Sequence, residues 1–147
     1  DIIQRAAKMF DHVIVAVMVN PSKRPSFTLE ERIDLLTRAT TDVEAAKLEI
    51  VGFDGLLADY AKQRHATAIV KGLRAVSDFE YEFQMALTNK KLIPDLETVV
   101  LTTRAENMYL SSSVVKQIAA FGGDISHFVP PEILDTIVKR LVKERLS

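Results

Sequence analysis

Two hydrophobic periods alternate along the chain. Residues 12–19 (HVIVAVMV), 48–51 (LEIV), 68–70 (AIV) and 98–101 (TVVL) are short, mostly β-branched apolar runs, the pattern of strands covered on both faces. Between them the apolar residues fall at helical spacing. Ile3, Ala7 and Phe10 share one face, with Asp1 ahead of them. Leu29, Ile33, Leu36 and Ala39 follow a capping box in which Thr28 and Glu31 each serve the other's backbone amide. Leu56, Leu57, Tyr60 and Ala61 predict a helix to about Arg64, and Phe79, Phe83, Ala86 and Leu87 one to about Lys91, before Pro94. Val114, Val115, Ile118 and Ala119 form another, closed by Gly122 and Gly123. Pro130, Pro131 and Glu132 open the last, with Ile133, Ile137, Leu141 and Val142 inward and Lys139, Arg140, Lys143 and Arg145 towards its end. Alternating strands and helices predict one α/β domain with a mostly parallel open sheet, helices on both faces and right-handed crossovers.

Composition narrows the class. The 147 residues suit one domain, and 48% hydrophobic with 27% charged residues suits a folded soluble protein. The net charge of −1 argues against a nucleic-acid partner held by bulk charge. There is no cysteine, hence no disulfide, thiolate zinc site or cysteine nucleophile. No apolar run reaches the length of a membrane span and no signal peptide opens the chain, so a cytoplasmic domain without membrane partners is the expectation.

Three loops at strand carboxyl ends carry the candidate chemistry: those with Lys23, with Lys71 to Arg74, and with Ser111 to Ser113. In an open parallel sheet they share one edge, where ligands bind. In the second, Lys71 and Arg74 flank Gly72 and Leu73, and Asp78, Glu80 and Glu82 lead the following helix. The cations suit a phosphorylated ligand; they equally suit a solvated basic turn. The three serines stand where helix-start amides can receive an anion, although one serine suffices for a cap. Glu82 reads as exposed. The phosphate motifs GxxxxGK[ST] and GxGxxG are absent, and His12, His65 and His127 lack the spacing of a metal site or a triad. Phe79, Tyr81 and Phe83 read as core and interface. No metal ligands are assigned.

PSKRPSFTLEER (residues 21–32), KGLRAVSDFEYE (71–82) and YLSSSVVK (109–116) resemble the bacterial phosphopantetheine adenylyltransferases, in order and over essentially the whole chain. The middle motif is specific to that family; the serine motif is shared with the wider HxGH nucleotidyltransferases. The resemblance implies a Rossmann-like nucleotidyltransferase fold, a homohexamer, and adenylyl transfer from ATP to 4'-phosphopantetheine with Mg2+, giving dephospho-coenzyme A and pyrophosphate in coenzyme A synthesis. Coenzyme A is implied as a possible feedback ligand. By position, Lys23 would contact the reacting phosphates and, with Leu57 and Lys71, the phosphopantetheine. Gly72, Leu73, Arg74, Glu82, Asn107, Met108, Tyr109, Leu110, Ser111, Ser112 and Ser113 would hold ATP. Lys23 and Arg74 carry the catalytic assignment. Two alternatives stand beside it: a related nucleotidyltransferase with another phosphate acceptor, and a non-catalytic nucleotide- or coenzyme-A-binding module.

The chemistry agrees with that implication. A phosphate nucleophile is ionised at neutral pH, so no general base is needed, and alignment plus charge neutralisation suffice. The family opens with a central strand and GxFDPxxxGH, whose histidine stabilises the transition state; Asp1-Ile2-Ile3 matches the continuation after that histidine. The expectation is that the natural protein carries this segment, and that a chain beginning at Asp1 turns over negligibly and is poorly stable. An intact mass near 16.4 kDa would refute the first part.

Overall fold

The structure, a computed structural model, describes residues 1–20, 24–74 and 76–146. The element order is α1 (Ile2–Met9), β1 (Val13–Met18), α2 (Leu29–Ala39), β2 (Leu48–Phe53), α3 (Leu57–Gln63), β3 (Ala68–Leu73), α4 (Val76–Leu92), β4 (Glu97–Thr102), α5 (Ser112–Ala120) and α6 (Pro131–Leu146), with short 3-10 turns at Ala45–Lys47 and Ala105–Asn107. The expected alternation is present, and every strand pairing is parallel, the arrangement helical crossovers produce.

Local signals set the helix ends. The Thr28–Glu31 capping box is fully formed. Helix α5 closes on Gly122 at φ +76°: the Gly122 amide donates to Ala119 and the Gly123 amide to Ile118, the paired bonds of a left-handed C-terminal cap.

Three findings differ from the sequence-based expectation. Strand β2 continues through Gly52 and Phe53, expected to follow it, because Val17 and Met18 of β1 pair with them. Strand β3 runs on through Lys71, Gly72 and Leu73, which were expected in the loop. The ladder with β4 carries them, pairing Lys71 with Val100, Gly72 with Leu101 and Leu73 with Thr102. The strands also form two separate pairs, β1 with β2 and β3 with β4, rather than one continuous ladder. Between β1 and β3 lies a cavity of about 730 Å³.

The buried core is divided likewise. Ala61, Ile69 and Leu96 join α3 to the β3–β4 pair, while Ala119, Ile125 and Leu141 join α5 to α6. Helix α6 also packs on α2, where Arg140 lies over the Phe27 ring, pairs with Glu31 and donates to the Ser26 carbonyl. The Arg140 pair fixes the start of α2 and the end of the loop before it. It also holds the Glu31 carboxyl below its ordinary range, through the Arg140 hydrogen bonds first and the Thr28 amide second.

Candidate active site

The carboxyl ends of β1 and β3 and the start of α5 define the candidate site. At the end of β1, Arg32 on α2 donates through Nη1 to the Met18 carbonyl at 3.1 Å; its Nε is buried with no hydrogen-bond partner among the described residues. Lys23, expected on the loop after β1, lies outside the described residues.

At the end of β3, Lys71 points its ammonium at Glu82 on α4, 3.4 Å away. Glu82 was expected to be exposed. It is half-buried, and the oxygen facing Lys71 is shielded from solvent and takes no hydrogen bond among the described residues. The strand, by continuing through Lys71, sets this ammonium beside the first turns of α4, and the pair forms across the strand–helix junction. No sequence signal separated this from an ordinary exposed glutamate. Gly72 lets α1 approach closely: a Cβ there would stand 3.0 Å from Ile2 Cγ1, so the Ile2 side chain would have to give by a few tenths of an ångström.

Arg74 follows β3. Its Nη1 donates to the Leu110 carbonyl at 2.6 Å, and its Nε lies 3.1 Å from Asp78 on α4. One guanidinium thus joins the loop after β3 to the segment leading into α5. Asp78 was not among the expected site residues; its position four residues after Arg74 was the available signal.

At the start of α5 the three serines differ. Ser111 is the N-cap, its Oγ accepting from the Val114 amide at 3.2 Å. Ser112 and Ser113 are exposed on the first turn and are not spent on the cap. Asn107 ends the preceding 3-10 turn, and Met108 and Tyr109 are exposed. The Tyr109 ring meets Phe128 edge-on, with centroids 6.4 Å apart.

Leu57, the first residue of α3, lines the same cavity as Lys71. The structure therefore places Leu57 and Lys71 on one cavity, pairs Lys71 with Glu82, and joins Arg74 to Leu110 just ahead of the serine-capped helix. Two further arginines, unmarked in the sequence, frame the end of β4. Arg5 donates to the Thr102 carbonyl at 2.7 Å, and Arg104 lies 3.0 Å from Asp1. Among the described residues no three His, Asp or Glu side chains gather as a metal cage, and no helix is long and apolar enough to cross a membrane.

Cationic side chains and free helix-start amides on one rim can hold and neutralise phosphates. A comparison with known families finds a match to the cytidylyltransferase-like family over residues 1–118, from the start of α1 through all four strands and into α5. The chain belongs to the cytidylyltransferase-like family, a family of nucleotidyl-transferring domains.

Proposed function

We propose that this domain transfers the adenylyl group of ATP to the phosphate of 4'-phosphopantetheine. An acceptor phosphate oxygen attacks the α-phosphorus, the bond from that phosphorus to the bridging oxygen breaks, and pyrophosphate leaves; the product is dephospho-coenzyme A. The observation that carries the reading is the Arg74–Leu110 bond at 2.6 Å. It joins the two motifs that the resemblance assigns to ATP, KGLR and YLSSS, and sets a guanidinium beside free helix-start amides.

In this reading Ser112, Ser113 and the α5 amides receive the β and γ phosphates, and Arg74 neutralises charge growing towards the leaving pyrophosphate. Lys71, sharing a cavity with Leu57, receives the acceptor phosphate, while Glu82 fixes where its ammonium lies. Lys23, which the resemblance assigns to the reacting phosphates, lies outside the described residues. The carboxylates of Asp1, Asp78 and Glu82 are already engaged, by Arg5 and Arg104, by Arg74 and by Lys71. Mg2+ therefore fits here as an ion carried on nucleotide phosphates, where it supplies charge neutralisation. Self-association belongs to the same reading. Phe79, Phe83 and Leu87 form an exposed apolar stripe on α4, with the Phe79 and Phe83 rings stacked at 5.6 Å, a face suited to a second copy.

The test is pyrophosphate-dependent formation of ATP from dephospho-coenzyme A, beside other dinucleotides and beside CTP as the forward donor. Selective ATP formation from dephospho-coenzyme A supports the proposal. Preference for another dinucleotide or for CTP replaces the substrate assignment. Tight ATP or coenzyme A binding without any pyrophosphate exchange replaces the enzyme with a binding module.

A further inference from the structure

The family match ends at residue 118, inside α5, and α6 lies beyond it. Helix α6 nevertheless joins two parts of the matched region. Leu141 packs with Ala119 and Ile125 in one buried cluster, which seats α6 on the helix that Ser111 caps. The neighbouring residue, Arg140, reaches the segment between β1 and α2.

There it grips three consecutive residues. Its Nη1 donates to the Ser26 carbonyl at 2.5 Å, and its guanidinium carbon lies 4.8 Å from the centre of the Phe27 ring. Thr28 is reached through Glu31. Arg140 Nη1 donates to Glu31 Oε2 at 3.0 Å and Nη2 to Glu31 Oε1, while Oε2 also accepts the Thr28 amide at 2.8 Å. A carbonyl, a ring and an amide are thus fixed in succession, and Ser26 stands three residues after Lys23 in the chain. The planar fork is required, since an ammonium cannot serve a carbonyl and two carboxylate oxygens while lying on a ring. A half-exposed ion pair contributes little stability, so the larger consequence of Arg140 is geometric.

A second link is independent of Arg140. Arg38, late in α2, donates to Thr136 Oγ1 at 3.2 Å and to the Glu132 carbonyl, both early in α6. The two helices therefore run antiparallel and are tied at two separate points.

We infer that Arg140 is a positioning residue: through Ser26, Phe27 and Thr28 it holds the segment after β1 in register with the start of α5, so that α6 aligns the acceptor half of the site with the nucleotide half. The inference rests on the adenylyl-transfer reading. In that reading two phosphates must meet in line without a general base, and a misplacement of about 1 Å costs about 100-fold in rate. Lost alignment lowers kcat, whereas each substrate keeps its own contacts and hence its KM.

The experiment compares Arg140→Met with Arg38→Met, which breaks the other tie between α2 and α6 and leaves the Arg140 grip intact. Arg140→Lys keeps the charge beside Glu31 without the fork, and takes the place of Arg140→Met if that variant does not fold. Kinetics with ATP and 4'-phosphopantetheine, run well below the lowest melting temperature of the set, gives kcat and both KM values. The expected result for Arg140→Met or Arg140→Lys is a kcat lower by more than about tenfold, with each KM within about threefold of wild type. Arg38→Met should keep the wild-type kcat even where its melting temperature falls as far. A retained kcat in the Arg140 variant, a loss confined to KM, or an equal kcat loss in Arg38→Met overturns the inference and leaves Arg140 a structural residue. The wild type separates this from the underlying reading. A wild type that releases no pyrophosphate fails the adenylyl-transfer reading, and the inference with it; an active wild type beside an unaffected Arg140 variant fails the inference alone.

Discussion

The Arg74 guanidinium donates to the Leu110 carbonyl at 2.6 Å, and so couples the end of β3 to the approach to α5. The same side chain lies against Asp78, so its fork is held at both sides before any ligand arrives. A guanidinium fixed in this way loses little freedom when a phosphate binds, unlike a free surface arginine.

Replacing Arg74 by Ala in the proposed reaction is expected to lower kcat/KM by roughly 10- to 100-fold, most of it in kcat, because the charge it meets grows in the transition state. Arg74→Lys should not restore activity, since an ammonium cannot serve Leu110 and Asp78 at once with planar geometry. Steady-state kinetics in the direction of pyrophosphate release measures both; a loss confined to KM would mean that Arg74 only binds.

The pair formed by Lys71 and Glu82 has asymmetric consequences. Lys71→Ala leaves a shielded carboxylate oxygen without its counter-charge. It should destabilise the fold by roughly 1 kcal/mol, below the cost at a fully buried pair because both side chains keep some exposure. Glu82→Gln keeps the shape and should change stability by less than about 0.5 kcal/mol. It also releases the ammonium, and in the proposed reaction should raise KM for the acceptor while leaving KM for ATP nearly unchanged. Thermal unfolding and two-substrate kinetics check the two halves. A KM rise for ATP alone would assign Glu82 to the nucleotide.

Much of this arrangement was legible beforehand, for identifiable reasons. The Thr28–Glu31 box and the Gly122–Gly123 cap are local signals, and both are realised where the sequence places them; the apolar runs locate the four described strands, of which β2 and β3 extend past them. The contacts that shape the site are not local. Leu110 lies 36 residues from Arg74, and nothing in either stretch says that a main-chain carbonyl will be the acceptor. Strand β3 overran its apolar core because β4 offered pairing partners for Lys71 and Gly72, a decision taken by the neighbour and not by the strand's own residues. Arg5 and Arg104 looked like any surface cations until the rim of β4 placed them. The expected open sheet is present as two strand pairs, and hydrophobic pattern carries no information on which strands become neighbours.

His65 gives a prediction about stability alone. It ends α3 in the left-handed region at φ +52°, with its amide bonded to Lys62 and the Ala66 amide to Ala61. Left-handed backbone costs a side-chain-bearing residue roughly 1 kcal/mol, and the imidazole is exposed. His65→Gly should therefore stabilise the protein by about 0.5–1 kcal/mol, whereas His65→Ala keeps the strain and should be near neutral. Denaturant unfolding of the two variants separates them; equal effects would locate the role of His65 in its ring.

Glu49 sets the expected response to acid. Arg64 grips its carboxylate with two bonds, of 3.0 and 2.5 Å, and His12 lies 3.3 Å away, joining the starts of β1 and β2 to the end of α3. The Arg64 hydrogen bonds, with a smaller contribution from His12, hold the Glu49 carboxyl below its ordinary value of 4.5. A carboxyl depressed in the folded state contributes stability that is fully present above the unfolded value and is lost as pH falls through the folded one. The Arg64 guanidinium is pushed upward by the same contact and stays charged throughout. Wild-type protein should accordingly lose melting temperature steeply below about pH 4.5. Glu49→Gln should be less stable at neutral pH but decline less over the same acid range, so the two melting curves converge as pH falls. Parallel curves from pH 7 to pH 3 in scanning calorimetry would show that Glu49 has no part in the acid response.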